Sequence, residues 1–370
     1  MKKFLALILS AVIIAAFAGC GSASPEGTAS EVQATHEPLA DDVKKQLDEA
    51  LTKDSFKGVV QITSGDGVLY EYAAGDDDNG KPLTIDASLP IASTSKQFCA
   101  AAVMKLCDEN KLSVDDTLDK YFSDCKDGKK ITIKNLLNMS SGLPNYLELI
   151  DPSAMATNEA DNVNTIKKVL FDAKLHFEPG DDYEYSNSNF FLLADIVEQL
   201  SGTPYHDYLR KTFFEPLGMT ATGFTNEVGE DHDWTSALSK SLQTEEDFFV
   251  PGLTKGAGDV VSNAADMAKW MHGLSGGKII SAEAYRQMTD NINEYSSEDY
   301  CYGLWHMAYG GVGHVGQIPP HFGSVDYLNP DRDIYLFAAS NSPSGMSYVQ
   351  ELPQEVLGIV FGNEQQEVEK

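Results

Sequence analysis

Apolar residues in Asp41–Lys53 fall at Val43, Leu47, Ala50 and Leu51. That spacing collects them on one face of a helix. The period then changes. GVVQIT (58–63) and GVLYEYAAG (67–75) are rich in β-branched and aromatic residues, and Ser64-Gly65-Asp66-Gly67 parts them as a tight turn. A helix is predicted from Ser95 to about Asn110, with Ala100, Ala101 and Ala102 inside it. Residues 113–150 alternate short helical pieces with turns. Further helices are predicted over 163–173, 188–201, 204–215, 263–274 and 281–290. The tail returns to strand character in YGLWHMAY (302–309), GHVGQI (313–318), SVDYLN (324–329) and DIYLFAAS (333–340), with Asn329-Pro330-Asp331-Arg332 as a turn. A last helix is predicted over about 346–361, and no internal repeat is visible.

Strands thus lie at both ends and helices in the middle. The simplest packing is α+β. The first two strands and the last three share one antiparallel five-stranded sheet, the terminal helices cover it, and the middle forms a helical lobe. The expected domain runs from 41 to 365, its sheet part about 41–90 and 300–365 and its helical part about 91–299. Clefts prefer such lobe boundaries.

Composition narrows the options. The chain has 370 residues, 42% of them apolar and 22% charged, enough for a large core and unlike a disordered chain or a disulfide-stapled miniprotein. Asp and Glu number 56 against 27 Lys and Arg, a formal net charge of −29. A surface this negative repels phosphate backbones, so nucleic acid is not an expected partner. The first twenty residues, MKKFLALILSAVIIAAFAGC, place two lysines before a short apolar run. The run is too short to span a bilayer and reads as the core of a signal peptide, residues 1–19. Ala18-Gly19-Cys20 resembles a bacterial lipobox, with Phe17 where such boxes usually carry Leu. The expectation is lipidation of Cys20, a flexible tether over 20–40, and an extracytoplasmic protein held to the membrane by that anchor. Four other cysteines remain: Cys99, Cys107, Cys125 and Cys301. None has zinc spacing, and Cys99 and Cys107 would stand about 12 Å apart along one helix, too far to bridge. Free thiols are expected, and neither a metal nor a cofactor is called for.

Three short patterns carry chemistry. Ser93-Thr94-Ser95-Lys96 is Ser-x-x-Lys at the opening of a helix. A serine hydroxyl needs a base to become a nucleophile, and a lysine three positions on lies on the same side of a helix. The helix start also offers N–H groups to a developing oxyanion. Tyr185-Ser186-Asn187 supplies a phenol that a neighbouring ammonium can push toward a base, and an amide that can hold Lys96 or a substrate carbonyl. His314-Val315-Gly316-Gln317 opens a strand. Gly316 there lets a substrate lie close, and the N–H of Gln317 could pair with that of Ser93 as an oxyanion hole. Each pattern has a rival, at Ser123-Asp124-Cys125-Lys126, Tyr327-Leu328-Asn329 and His321-Phe322-Gly323. Met267, Trp270 and Met271 read as core, and Asp76-Asp77-Asp78-Asn79-Gly80 as a hairpin end rather than a calcium loop.

Order and context decide among these. LPIASTSKQF, ITIKNLLNMSSGLPNY, FEPGDDYEYSNSNFFLLADIVEQLSG, GAGDVVSNAADMAKWMHGL and GHVGQIPPHFGSVDYLNPDRD, in that sequence, closely resemble the serine β-lactamase-related hydrolases. That family includes class C β-lactamases, D,D-carboxypeptidases, D-aminopeptidases and esterases. The resemblance covers roughly 45–345. It implies the β-lactamase/transpeptidase-like fold, Ser93 as nucleophile with Lys96 and Tyr185 as its catalytic partners, and Asn187, His314 and Gly316 as substrate-binding residues. It implies an acyl-enzyme route on D-amino-acid-containing peptides, with ester or β-lactam hydrolysis, or a non-catalytic penicillin-binding role, as rivals. Two departures stand out. His314 occupies a position where β-lactamases carry Lys, so a carboxylate-gripping cation is missing or titratable. After Gln317 the run Pro319-Pro320-His321-Phe322 is one residue longer than the family's pattern.

Overall fold

The computed structural model of the chain describes residues 38–77, 80–227, 250–296, 299–320 and 322–362. The expected signal peptide, Cys20 and all but the last residues of the tether lie outside these, as do His321 and the acidic run Glu245-Glu246-Asp247.

Helix α1 (Asp41–Lys53) buries Leu47, Ala50 and Leu51, the face its spacing marked out. Strands β1 (Gly58–Ser64) and β2 (Gly67–Ala74) form the first hairpin. After β3 (Leu89–Pro90), a 3-10 turn at Ala92–Ser95 leads straight into α2 (Lys96–Asp108). The middle of the chain holds α3 (Ile133–Leu137), α4 (Glu159–Asp172) and α5 (Asn187–Ser201). It continues with α6 (Tyr205–Leu209), a π-helical turn at Arg210–Phe214 and α7 (Glu215–Leu217). Strands β4 (Gly223–Phe224) and β5 (Val260–Ser262) precede α8 (Ala264–Ser275) and α9 (Ala282–Asp290). Side chains of Asn158, Asn263 and Ser281 accept backbone N–H groups at the starts of α4, α8 and α9, which fixes where those helices begin. The tail adds β6 (Trp305–His306), β7 (Val312–Gly313), β8 (Val315–Ile318), β9 (Phe322–Asn329), β10 (Ile334–Ser340), α10 (Pro343–Tyr348) and α11 (Leu352–Val360).

The main sheet is antiparallel, in the order β2-β1-β10-β9-β7-β6, with β8 also paired to β9. It has the five expected strands plus two short ones, so the sheet is wider than the sequence predicted. The expected strand YGLWHMAY shrinks to Trp305–His306, because Gly303 (φ 72°) and Tyr309 (φ 60°) turn the backbone on either side. GHVGQI divides around His314 into β7 and β8. A second, three-stranded sheet of β3, β5 and β4 was not predicted; strands of two or three residues leave no periodic signal. The last helix is two, since Pro353 has no N–H to continue a helix arriving from α10 and sits instead in the first turn of α11.

Strand β10 sorts the two cores by simple alternation. Ile334, Leu336 and Ala338 join Leu47, Leu51, Val356 and Leu357 beneath α1 and α11. Tyr335, Phe337 and Ala339 face the larger core, which includes Phe98 of α2 and Met267, Trp270 and Met271 of α8. The α+β fold thus places α2 behind the sheet, with the 3-10 turn that leads into it against β8 and β9.

Candidate active site

The turn carrying Ser93 is shaped by its neighbours. Ala92 has φ 49°, a left-handed value that costs a side-chain-bearing residue about 1–2 kcal/mol. Strand β8 runs tight against the turn. A Cβ at Gly316 would overlap the Ile91 carbonyl and lie 3.0 Å from the Ser93 nitrogen. The missing side chain of Gly316 therefore meets protein backbone at the serine turn, where the sequence reading had placed substrate. Ser93 is half-buried, and Gln317 lines the same pocket.

Lys96 is fully buried. Its Nζ donates to Ser93 Oγ at 3.0 Å, to Asn187 Oδ1 at 2.8 Å and to the Ala257 carbonyl at 2.6 Å. Burial lowers its pKa from the usual lysine value to about 7, against the opposing influence of Cys99 and the Asp259 carboxylate. Two of its three partners can only accept, so they hold two N–H groups whichever way the amine titrates. The third position faces Ser93 Oγ, as an N–H in the ammonium and as a lone pair in the free amine.

Tyr185 brings its ring centroid to 5.0 Å from Lys96 Nζ. Its hydroxyl makes no hydrogen bond of ordinary geometry, although the Ser93 hydroxyl lies close enough to favour the phenolate. Burial outweighs that influence and pushes its pKa up. The sequence reading expected a lysine to pull it down; desolvation reverses the sign, and the phenol stays protonated at neutral pH.

The sequence reading left the cation at His314 missing or titratable, and the side chain is completely buried. Its Nδ1 lies 2.7 Å from the Val315 carbonyl, which can only accept, so Nδ1 carries the proton. Burial, with Lys96 adding to it, holds its pKa well below the usual histidine value. The ring is therefore neutral, with an acceptor lone pair at Nε2. No lysine-like cation stands here.

Several contributors had no side-chain signature in the sequence. Ala257 acts through its carbonyl. Asn145 Oδ1 takes a 3.4 Å bond from Asn187 Nδ2 and braces the amide that holds Lys96. Behind the serine turn, buried Asp326 accepts from the His314 backbone N–H at 2.8 Å and from Gln97 Nε2 at 2.7 Å, while Trp270 Nε1 donates to Gln97 Oε1 at 2.6 Å. Burial raises the pKa of Asp326 to about 7. Trp270 is core, as its spacing suggested, but it also joins this network.

The rival motifs fall elsewhere. Ser123 and Lys126 are exposed, and Tyr327 is buried in β9 with its hydroxyl directed at the Tyr309 carbonyl. Cys99, Cys125 and Cys301 are buried free thiols, and Cys107 is a half-buried one. Asp77 closes a turn with Lys81. Among the described residues, no three His, Cys, Asp or Glu side chains group as metal ligands, and no helix is long and apolar enough to cross a membrane.

A pocket of about 390 Å³ opens beside Ser93. Tyr146, Leu147, Pro152, Leu253 and Ile318 give it apolar walls, Asn187 and Gln317 supply polar groups, and no charged residue among those described lines it.

The chain resembles known proteins along most of its length. It is 26% identical over 337 residues to penicillin-binding protein 4* of Bacillus subtilis, covering 84% of this chain and 73% of that one. Protein flp of Staphylococcus aureus is 25% identical over 349 residues, 86% of this chain and 66% of its own length. The chain thus spans about two thirds to three quarters of these relatives. The D-amino acid amidase of Ochrobactrum anthropi SV3, solved with L-phenylalanine amide, superposes with a TM-score of 0.72 at 25% identity, covering 87% of this chain and 98% of that one. The family model described as Beta-lactamase matches residues 43–360. A match of that extent makes this chain a member of the beta-lactamase family and a serine hydrolase.

Proposed function

We propose that the chain cleaves amide bonds of D-amino-acid-containing peptides or amides through an acyl-enzyme on Ser93. The carrying observation is the set of three contacts around Lys96 Nζ. With two N–H groups held by Asn187 and Ala257, the free amine aims its lone pair at Ser93 Oγ and takes its proton as the oxygen attacks the carbonyl. A base with pKa near 7 is matched to neutral pH. The N–H groups of Ser93 and Gln317 flank the developing oxyanion, an arrangement worth about 3–4 kcal/mol per donor. Tyr185, protonated because it is buried, passes its proton to the leaving nitrogen and regains one by way of Lys96. Water then releases the acyl group.

The uncharged, largely apolar pocket suits an apolar acyl residue. Neutral His314 offers no cation to a substrate carboxylate, which weighs against efficient β-lactam hydrolysis and leaves ester turnover open. A binding-only role sits poorly with a buried, desolvated lysine aimed at a serine. A lipid anchor on Cys20, if present, would set the site beside cell-wall peptides. A fluorophosphonate or labelled penicillin followed by mass spectrometry tests the assignment. The adduct is expected on Ser93, and labelling that persists in Ser93→Ala would reject it.

A further inference from the structure

Eight buried side-chain nitrogen or oxygen atoms among the described residues have no hydrogen-bond partner of ordinary geometry, and three of them sit on rings that neighbour one another. These are Tyr300 Oη, Trp305 Nε1 and His314 Nε2; the ring of Tyr185, whose hydroxyl lies beside Ser93, completes the cluster. Their rings touch in every pairing. Trp305 lies 4.2 Å from His314, 5.0 Å from Tyr300 and 5.8 Å from Tyr185, centroid to centroid. Tyr300 lies 6.0 Å from His314 and 6.1 Å from Tyr185, and Tyr185 is 6.2 Å from His314. Tyr300 and His314 are fully buried, Tyr185 and Trp305 half-buried. Buried polar atoms are nearly always paired in native proteins, so three orphans in one cluster point to a ligand that pairs them.

The chemistry of the three selects that ligand. A phenol and an indole can donate, and His314 Nε2 can only accept. An anion would meet the Nε2 lone pair without any cation in the cluster to offset it. A cation would meet Lys96, whose Nζ stands 5.0 Å from the centroid of the Tyr185 ring. An uncharged group with both a carbonyl oxygen and an N–H satisfies the set: the carbonyl takes Trp305 Nε1–H or Tyr300 Oη–H, and the N–H is received by His314 Nε2.

We propose that this cluster is a subsite for an uncharged carboxamide of the substrate, admitted when the Trp305 ring swings outward. Trp305 suits that role. It sits in a two-residue edge strand, β6, between the turns at Gly303 and Tyr309. The subsite rests on the acyl-transfer reading above and adds that the enzyme selects amidated or internal peptide units over free carboxylates.

Two measurements test it. Tryptophan fluorescence of Ser93→Ala, titrated with N-acetyl-D-alaninamide and with N-acetyl-D-alanine, separates binding from chemistry. A saturable change with the amide alone, abolished by adding Trp305→Phe, is expected; equal responses, or none, overturn the subsite. In the active enzyme, kcat/KM for N-acetyl-D-phenylalanyl-D-alaninamide is expected to exceed that for the free acid at least tenfold. Tyr300→Phe, which removes one oxygen, should cut this ratio at least threefold, and His314→Lys should invert it. A ratio near one in the wild type sinks the proposal. Turnover of p-nitrophenyl acetate by the same preparation keeps the two readings apart. Its absence rejects acyl transfer on Ser93, whereas its presence with no amide preference rejects the subsite alone.

Discussion

Lys96 and Gln97 are neighbours in the chain, yet helix α2 sends them to different sides. Adjacent helical positions diverge by about 100°. Lys96 turns toward Ser93, Asn187 and the Ala257 carbonyl. Gln97 turns back to Asp326 and Trp270. Both side chains are completely buried and fully bonded, so burial and bond number cannot tell catalysis from scaffolding. The difference lies in the partners. On the Lys96 side a proton can shift between the amine and the serine oxygen. On the Gln97 side every donor has a matching acceptor, and the arrangement ties α2, α8 and β9 together.

Breaking the first side should abolish chemistry. Ser93→Ala and Lys96→Met are each expected to lower kcat/KM by about a thousandfold or more, read as p-nitrophenyl ester turnover. Retention of a tenth of the activity by Lys96→Met would move the base elsewhere.

Breaking the second should weaken the fold. Asp326→Ala strands the His314 N–H and the Gln97 amide in a buried site, and urea unfolding should record a loss of about 2–4 kcal/mol. A stability unchanged within error would show that the network is dispensable.

The two sides also titrate with opposite sign. Burial raises Asp326 from 3.8 to about 7, so the folded state holds the extra proton between those values. Its contribution to stability is present below pH 4 and is lost as pH rises toward 7. Burial lowers Lys96 from 10.5 to about 7, so there the unfolded state holds the extra proton, and stability rises between pH 7 and 10. Unfolding curves across pH should lose the first slope in Asp326→Asn and the second in Lys96→Met. Activity follows the Lys96 proton too: kcat/KM should fall about tenfold per pH unit below 7 and level off above it.

The smallest effect concerns the loop that presents the Ala257 carbonyl. His206 Nε2 pairs with Asp259 Oδ2 at 2.7 Å, and that oxygen also takes the Gly256 N–H at 3.3 Å. His206→Gln should reduce kcat by roughly threefold to tenfold, about 1 kcal/mol of lost positioning, with little change in KM. A rise in KM alone would assign His206 to binding.

Much of this design could be read from residue order. The helix faces of α1, α5 and α8, the hairpin of β1 and β2, and the central strands β9 and β10 all carry a clear period. Ser93 and Lys96 advertise themselves by spacing, and Tyr185-Ser186-Asn187 by its place in the series. What could not be read has physical reasons. Ala257 works through a backbone atom that every residue has. Asp326 lies within an alternating strand, where a buried acid looks like a polar outward position. Tyr300 and Trp305 owe their proximity to the turn at Gly303 between them. The sign of the Tyr185 shift depends on solvent exclusion, which spacing does not encode.

The pairing of β1 with β10 sets Val59 opposite Ala339 in the middle of the sheet. The two partners lie far apart in the sequence, so the sheet cannot close until the chain has been synthesised through β10. Until then β1 offers a bare apolar edge to any neighbouring strand, a recruiting surface for aggregation. A product truncated before Ile334 would keep the serine, the lysine and the tyrosine and still be expected to precipitate, because it lacks the strand that shields that edge.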